Sequence, residues 1–365
     1  MTDSAFSIGI EREGLRIDGS GRLAMTAHPA EFGDKLKSFR VSTDFGEAMM
    51  ELRTEPQHDT AACYGELLHI TKDVLKVLAR RGEFLWPYSM PCAFPDDSAF
   101  PFNSYPDDPD EEDYERELAS VYGIRRLSIS GIHFNFSVND GMHARMREAY
   151  PAVPEDKDEA YMRCCRNLFQ NERLIRHFLD ASPTDLEGSP AREDSFRNSP
   201  EGYRCEKAQT LDFSSKRAYA ESVLRLKRYE RFGPVRVKSA GDGNLDAGIL
   251  TRGIRRIELR LCDINPFDIC GVSKHDLDFM TALMLLCMTE DVSPNTPMEL
   301  LTACGRVNRM LSLGLEEGIT AMIHQEEHGQ KRSDRVRDLI RRQGMDGFRM
   351  LAEAYGRTAA EEETT

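Results

Sequence analysis

The sequence predicts an α+β protein built on a mainly antiparallel sheet, with helices outside it and a helical C-terminal part. Three observations predict this: four segments alternate with period two, one long segment repeats with helical period, and from about residue 274 helical runs follow one another with short breaks. No internal repeat is present, and the chain reads as a single domain of residues 1–365. Within it, 1–270 bear the strands and 271–365 are helical.

The first alternating segment is SIGIEREGLRI, in which Gly9, Glu11 and Glu13 share one face and Ile8, Ile10 and Arg12 the other. In DFGEAMMELRT, Glu47, Met49, Glu51 and Arg53 alternate with Ala48, Met50 and Leu52. In LSISGIHFNFSV, an apolar face of Ile132, Phe134, Phe136 and Val138 backs onto Gly131, His133, Asn135 and Ser137. In RRIELRLCDINPF, Ile257, Leu259 and Leu261 oppose Glu258, Arg260 and Cys262.

Residues 60–81 place Leu67, Leu68, Ile70, Val74, Leu75 and Leu78 at helical spacing with basic residues in the last turn, which predicts an amphipathic helix. The Pro- and Asp-rich stretch 92–113, ending in DDPDEED, reads as an exposed loop, and 181–205 as a second irregular segment. Helices are expected in KHDLDFMTALMLLCMTE, PMELLTACGRVNRMLSLGLEEG and SDRVRDLIRRQGMDGFRMLAEAYG, before a tail that frays. Trp86 in WPYSMPC reads as a structural residue of a packed turn, and Cys262 as a buried, inert thiol.

Composition excludes several functions. There are 62 acidic and 48 basic side chains, a net charge of −14, which disfavours nucleic-acid binding because that needs surplus Lys and Arg. No apolar run approaches the roughly 20 residues a membrane helix requires. The N-terminus lacks the basic and apolar regions of a signal peptide. Nine cysteines without a paired framework are expected as free thiols in a reducing cytoplasm. A monomer or weak homo-oligomer is expected.

The polar strand faces carry the chemistry. They are rich in Glu, which strands tend to avoid, and like charges opposite one another repel unless a cation neutralises them. Oxygen ligands with at most one imidazole suit Mg²⁺ or Mn²⁺. Carboxylates beside Arg260 also fit phosphoryl transfer, where metal ions bridge phosphate oxygens and a guanidinium offsets charge. An ordinary solvated sheet is the competing reading.

Six blocks, taken together, resemble bacterial glutamate–cysteine ligase: IGIEREGLR (8–16), STDFGEAMME (42–51), WPYSMPC (86–92), ISGIHFNFS (129–137), SFRNSPEGY (195–203) and IELRLCDINPF (257–267). The resemblance implies a glutamine-synthetase-like fold with its sheet curved into a funnel, forming one catalytic domain. It implies an ATP-dependent ligase that joins the γ-carboxylate of glutamate to the amine of cysteine through a γ-glutamyl phosphate. Carried over by block, Glu11, Glu13, Asp44, Glu51, His133 and Glu258 would hold Mg²⁺ or Mn²⁺. Arg197 and Arg260 would offset charge beside Glu258 in catalysis, and Arg236, Lys238 and Arg260 would contact the nucleotide. Phe45, Tyr114, Ile129, Arg197, Tyr203 and Phe232 would line the substrate site. Phe232 stands where the family has a tyrosine, so a γ-glutamyl ligase with a different amine acceptor is one alternative. A nucleotide-binding homologue without catalysis is another.

Overall fold

The computed structural model describes residues 6–95, 97–105, 108–239 and 245–361. Seven strands lie among them: β1 (Phe6–Asp18), β2 (Val41–Thr43), β3 (Met49–Arg53), β4 (Glu83–Leu85), β5 (Ile132–Val138), β6 (Val235–Ser239) and β7 (Ile254–Cys262). They form one sheet in the order β2-β3-β1-β5-β7-β6, with β4 pairing the far end of β1, and all these ladders are antiparallel. The α+β class and the antiparallel sheet follow the expectation. All four alternating segments supply strands.

The helices are α1 (Thr60–Arg80), α2 (Pro109–Tyr122), α3 (Ile124–Leu127), α4 (Asp140–Ala149), α5 (Lys157–Gln170), α6 (Glu172–Leu179), α7 (Lys216–Leu224), α8 (Leu245–Arg252), α9 (Lys274–Thr289), α10 (Pro297–Leu311), α11 (Glu316–Glu327), α12 (Arg332–Gln343) and α13 (Asp346–Glu361). The Asp59 carboxylate caps α1 by accepting from the Ala62 amide at 2.7 Å. The apolar stripe of α1 packs with α5 and α9 against the face carrying Ile8, Ile10, Phe134, Phe136 and Leu259. Helix α9 is buried along nearly its whole length and is held at its start by a reciprocal Ser273–Asp276 cap. A second cluster joins Leu15, Ile17 and Met49 to Trp86, Tyr88 and Phe348 of α13, closing one end of the opposite face. There the Trp86 indole donates to the Met90 carbonyl at 2.8 Å, as a packed turn requires.

Three local expectations are corrected. The stretch 92–113 is not an exposed loop: Phe100, Asn103 and Tyr105 are buried, and α2 begins at Pro109 with Asp108 as its cap. Of the acids of DDPDEED, Asp110, Glu111 and Glu112 form the first turn of α2, where they favour the positive end of the helix; Asp107 lies outside the described residues. Glu47 precedes β3 and leaves the acidic face, pairing with Lys35 at 2.5 Å and accepting from the amides of His28 and Ser104. Cys262 also changes sides. A bulge sets Arg260 and Leu261 together opposite His133, so Cys262 pairs Ile132 and meets Met280 of α9. It is buried and inert as expected, with burial pushing its thiol up to about 12. The tail after Glu361 lies outside the described residues.

Candidate active site

Antiparallel register brings the polar faces of β1, β3, β5, β7 and β6 to one place. Glu11 lies opposite both His133 and Arg53, Glu13 opposite Glu51, and Glu258 between Asn135 and Arg236. The His133 ring stands among three acids: Nδ1 is 3.3 Å from Glu11 and 3.9 Å from Glu258, and Nε2 is 3.3 Å from Glu13. Ligand atoms of Glu11, His133 and Glu258 all lie within 4.8 Å of one another.

Glu258 is wholly buried and doubly compensated, by Lys238 Nζ at 2.6 Å and by the Arg260 guanidinium. Burial alone would raise its carboxyl, but Lys238, Arg260 and His133 outweigh it and hold it well below the usual range. Glu13, Asp44 and Glu51 are displaced the other way. Burial is the first cause for each; Asp44 and Glu51 then raise Glu13 further, and Asp44 and Glu11 help push Glu51 up to about 8. Burial, then Arg260, drives His133 down to about 4, so its imidazole is neutral and able to donate a lone pair. Hard oxygens plus one neutral imidazole, several of them paying for crowded negative charge, fit a divalent cation such as Mg²⁺ or Mn²⁺.

A cavity of about 360 Å³ opens above this cluster. Glu11, Asp44, Glu51, His133, Glu258, Arg236, Lys238, Arg260, Phe45, Tyr114, Tyr203 and Phe232 all line it. A neighbouring cavity of about 370 Å³ shares Glu11 and continues over the same face, past Gly9 and Asn135 to Arg53, Arg255 and Arg256. Asn135 lines the second cavity, donating to the shared Glu11 at 2.9 Å and accepting from Arg256 at 2.8 Å.

Three expected residues lie beneath the cavity instead of lining it. Glu13 is buried and accepts the Gly131 amide at 2.7 Å. Ile129 precedes β5, outside its alternation, and is packed in the second core cluster with Trp86 and Phe45, so it does not line the cavity. Arg197 is buried and donates to the Arg260 carbonyl at 2.7 Å, and its guanidinium carbon lies 5.3 Å from the Tyr203 ring centre. Tyr203 in turn accepts from Arg260.

The segment carrying Arg197 is fixed from below. Ser195 bridges Ser182, whose hydroxyl donates to buried Asp263 at 2.7 Å. The Asn198 amide side chain donates to Asp180 at 3.1 Å and to the Leu261 carbonyl at 2.8 Å. Gly202 makes the turn possible, since a Cβ there would sit 2.5 Å from the Arg197 carbonyl oxygen. Thus the irregular segment 181–205 is ordered by a buried polar network.

Sequence reasoning missed Arg228, Glu111 and Arg256. Arg256 lies on β7 two residues before Glu258, and that shared strand face was a visible signal. Arg228 and Glu111 come from a 3-10 turn and a helix start, outside any alternating pattern.

A family model described as Glutamate-cysteine ligase matches residues 3–209 and 216–308. The glutathione biosynthesis bifunctional protein GshAB of Clostridium perfringens is 30% identical over 312 residues, covering 78% of this chain and 40% of that protein. The glutamate–cysteine ligase of Clostridium acetobutylicum is 29% identical over 349 residues, covering 78% of this chain and 72% of its own. The match thus spans about two fifths of the length of that curated bifunctional relative. Among solved structures, a bifunctional glutathione synthetase from Pasteurella multocida superposes with a TM-score of 0.86 at 23% identity, over 98% of this chain and 53% of that one. The Francisella tularensis glutamate–cysteine ligase in complex with AMP gives 0.85 at 18% identity, over 98% and 89%. These two likenesses show the fold.

Proposed function

The chain belongs to the glutamate–cysteine ligase family, and on that footing we propose that it is an ATP-dependent ligase joining the γ-carboxylate of glutamate to the amine of cysteine. The observation that carries this reading is the junction of the two cavities at Glu11, where the acids, one neutral imidazole and the guanidinium of Arg260 converge.

Glu11, His133 and Glu258 would hold one Mg²⁺ or Mn²⁺, and Glu13, Asp44 and Glu51 supply further oxygens beside them. When bound, such ions neutralise phosphate charge and align the terminal phosphoryl group. The nucleotide enters over Gly9 and Asn135, with Arg53, Arg255 and Arg256 facing its phosphates or ribose, and Arg236, Lys238 and Arg260 completing the positive side. The γ-carboxylate of glutamate attacks the terminal phosphorus; the new C–O–P linkage forms as the bond to ADP breaks. Arg260 and Arg197 offset the charge that develops there. The acceptor nitrogen then forms its bond to the acyl carbon as phosphate leaves with the C–O electron pair and the amine loses a proton. Phe45, Tyr114, Tyr203 and Phe232 enclose the acceptor.

Strands and C-terminal helices share one core cluster, which supports a single catalytic domain. Nine buried free thiols fit a reducing cytoplasm. Among the described residues no helix is long and apolar enough to cross a membrane. A second reading, a different amine acceptor, is favoured by Phe232, whose ring offers no hydroxyl to an acceptor carboxylate. The test is ADP release with ATP, Mg²⁺ and glutamate, comparing cysteine with other amines and identifying the product by mass. Chelation should abolish turnover and added Mg²⁺ or Mn²⁺ restore it. Glu258→Gln should lose nearly all activity, and a variant that keeps it refutes the assignment of the acid cluster.

A further inference from the structure

Among the residues lining the cavity, Phe45, Leu118, Leu127, Phe232 and the ring of Tyr114 offer no charge to grip a charged acceptor. Of the other cations lining the cavity, Lys238 and Arg260 pair with Glu258, and Arg236 lies opposite Glu258 in the ladder. Arg228 is placed differently. It stands at the mouth, 61% exposed, and its two terminal nitrogens donate in parallel to both oxygens of Glu111 at 2.8 and 2.7 Å. Its guanidinium carbon lies 3.9 Å from the centre of the Tyr114 ring.

We propose that Arg228 is the residue that recognises the acceptor's carboxylate, so that the acceptor is an amino acid and not a simple amine; this rests on the ligase reading above. Glu111 occupies the guanidinium fork in the geometry a free carboxylate would adopt. An ion pair this exposed contributes little, so exchanging one carboxylate for another is nearly free. Stacking on Tyr114 keeps the guanidinium plane facing the cavity through the exchange. The backbone need not move: the Tyr122 hydroxyl donates to the Tyr229 carbonyl at 2.8 Å, tying the turn that carries Arg228 to α2. Phe232, four residues on, has no hydroxyl with which to share the task.

The experiment uses the full chain and pairs of acceptors that differ only in the carboxylate: cysteine with cysteamine, and alanine with ethylamine. ADP release is followed at saturating ATP, Mg²⁺ and glutamate. The parent should prefer the amino acid in each pair that turns over, and Arg228→Ala and Arg228→Gln should reduce that preference at least tenfold, chiefly through KM for the amino acid. Glu111→Gln, which removes the competing carboxylate, should lower that KM. A preference that survives in both Arg228 variants, or a rise in KM for glutamate instead, overturns the assignment while leaving the ligase reading intact. A parent that releases no ADP with any acceptor overturns the ligase reading and this assignment together.

Discussion

Replacing Gly131 by alanine should disable the site through Arg197. Gly131 lies just before β5, and a Cβ built there would stand 2.5 Å from Arg197 Nε and closer still to the guanidinium carbon. Ordinary contact begins at 3.4 Å, so the guanidinium must withdraw by more than 0.9 Å. Because Gly131 is not in a left-handed conformation, alanine adds this steric demand and no backbone strain. A retreat of that size breaks or bends the 2.7 Å bond from Arg197 to the Arg260 carbonyl. A hydrogen bond from a charged group contributes about 1.5–3 kcal/mol, and a displacement near 1 Å in a positioning group costs about 10²-fold in rate. These agree, since 10² corresponds to about 2.7 kcal/mol. Steady-state ADP release should therefore show kcat/KM lower by about two orders of magnitude, with Tm lower by no more than about 5 °C. A variant within about threefold of the parent would refute the reasoning, because it would mean that Arg197 either adapts freely or has no part in the reaction.

Stability should depend on pH through Asp180. Burial first, then Asp263, pushes its carboxyl up to about 7 in the folded chain, against roughly 3.9 in an unfolded one. Between these values the folded chain keeps a proton that the unfolded chain has released, so stability falls as pH rises from about 4 to 7 and then levels. Asp180→Asn should gain on the parent across that window in urea midpoints; parallel curves would contradict the assignment. Asp59→Ala removes the cap of α1 and should cost about 1 kcal/mol in the same assay, with little change in ADP release. A thiol reagent should label almost none of the nine cysteines in the native protein and all nine in denaturant, since every one is buried; rapid labelling of one or more in the native state would show that thiol to be exposed.

Much of the sheet was legible because its two faces meet different surroundings. Ile8, Ile10, Phe134 and Phe136 face helices while Glu11, His133 and Asn135 face the cavity, and period-two alternation records that difference residue by residue. What alternation does not record is where a strand begins. Glu47 keeps the parity of Glu51, yet the chain has turned away two residues before β3. Helix α2 was hidden by its own acids, which look like a solvated loop unless Asp108 and Pro109 are read as a cap and a first turn. Arg228 and Glu111 meet across 117 positions of sequence from irregular elements, and no local pattern links them.

The extra residue in β7 acts as a shift of reading frame. Upstream of it the strand delivers every second side chain, Glu258 and Arg260, to the cavity; downstream the count restarts, Cys262 joins the helices, and Asp263 comes round to hold Ala181 and Ser182. One strand thereby writes two messages, a charge pattern for the cavity and an anchor for the segment bearing Arg197. Without the bulge, a uniform count over the same residues would carry Cys262 to the cavity face and turn the Asp263 carboxylate toward the helices, leaving that segment without its anchor. The bulge, and not only the identities of Glu258 and Asp263, thus decides which side each of them serves.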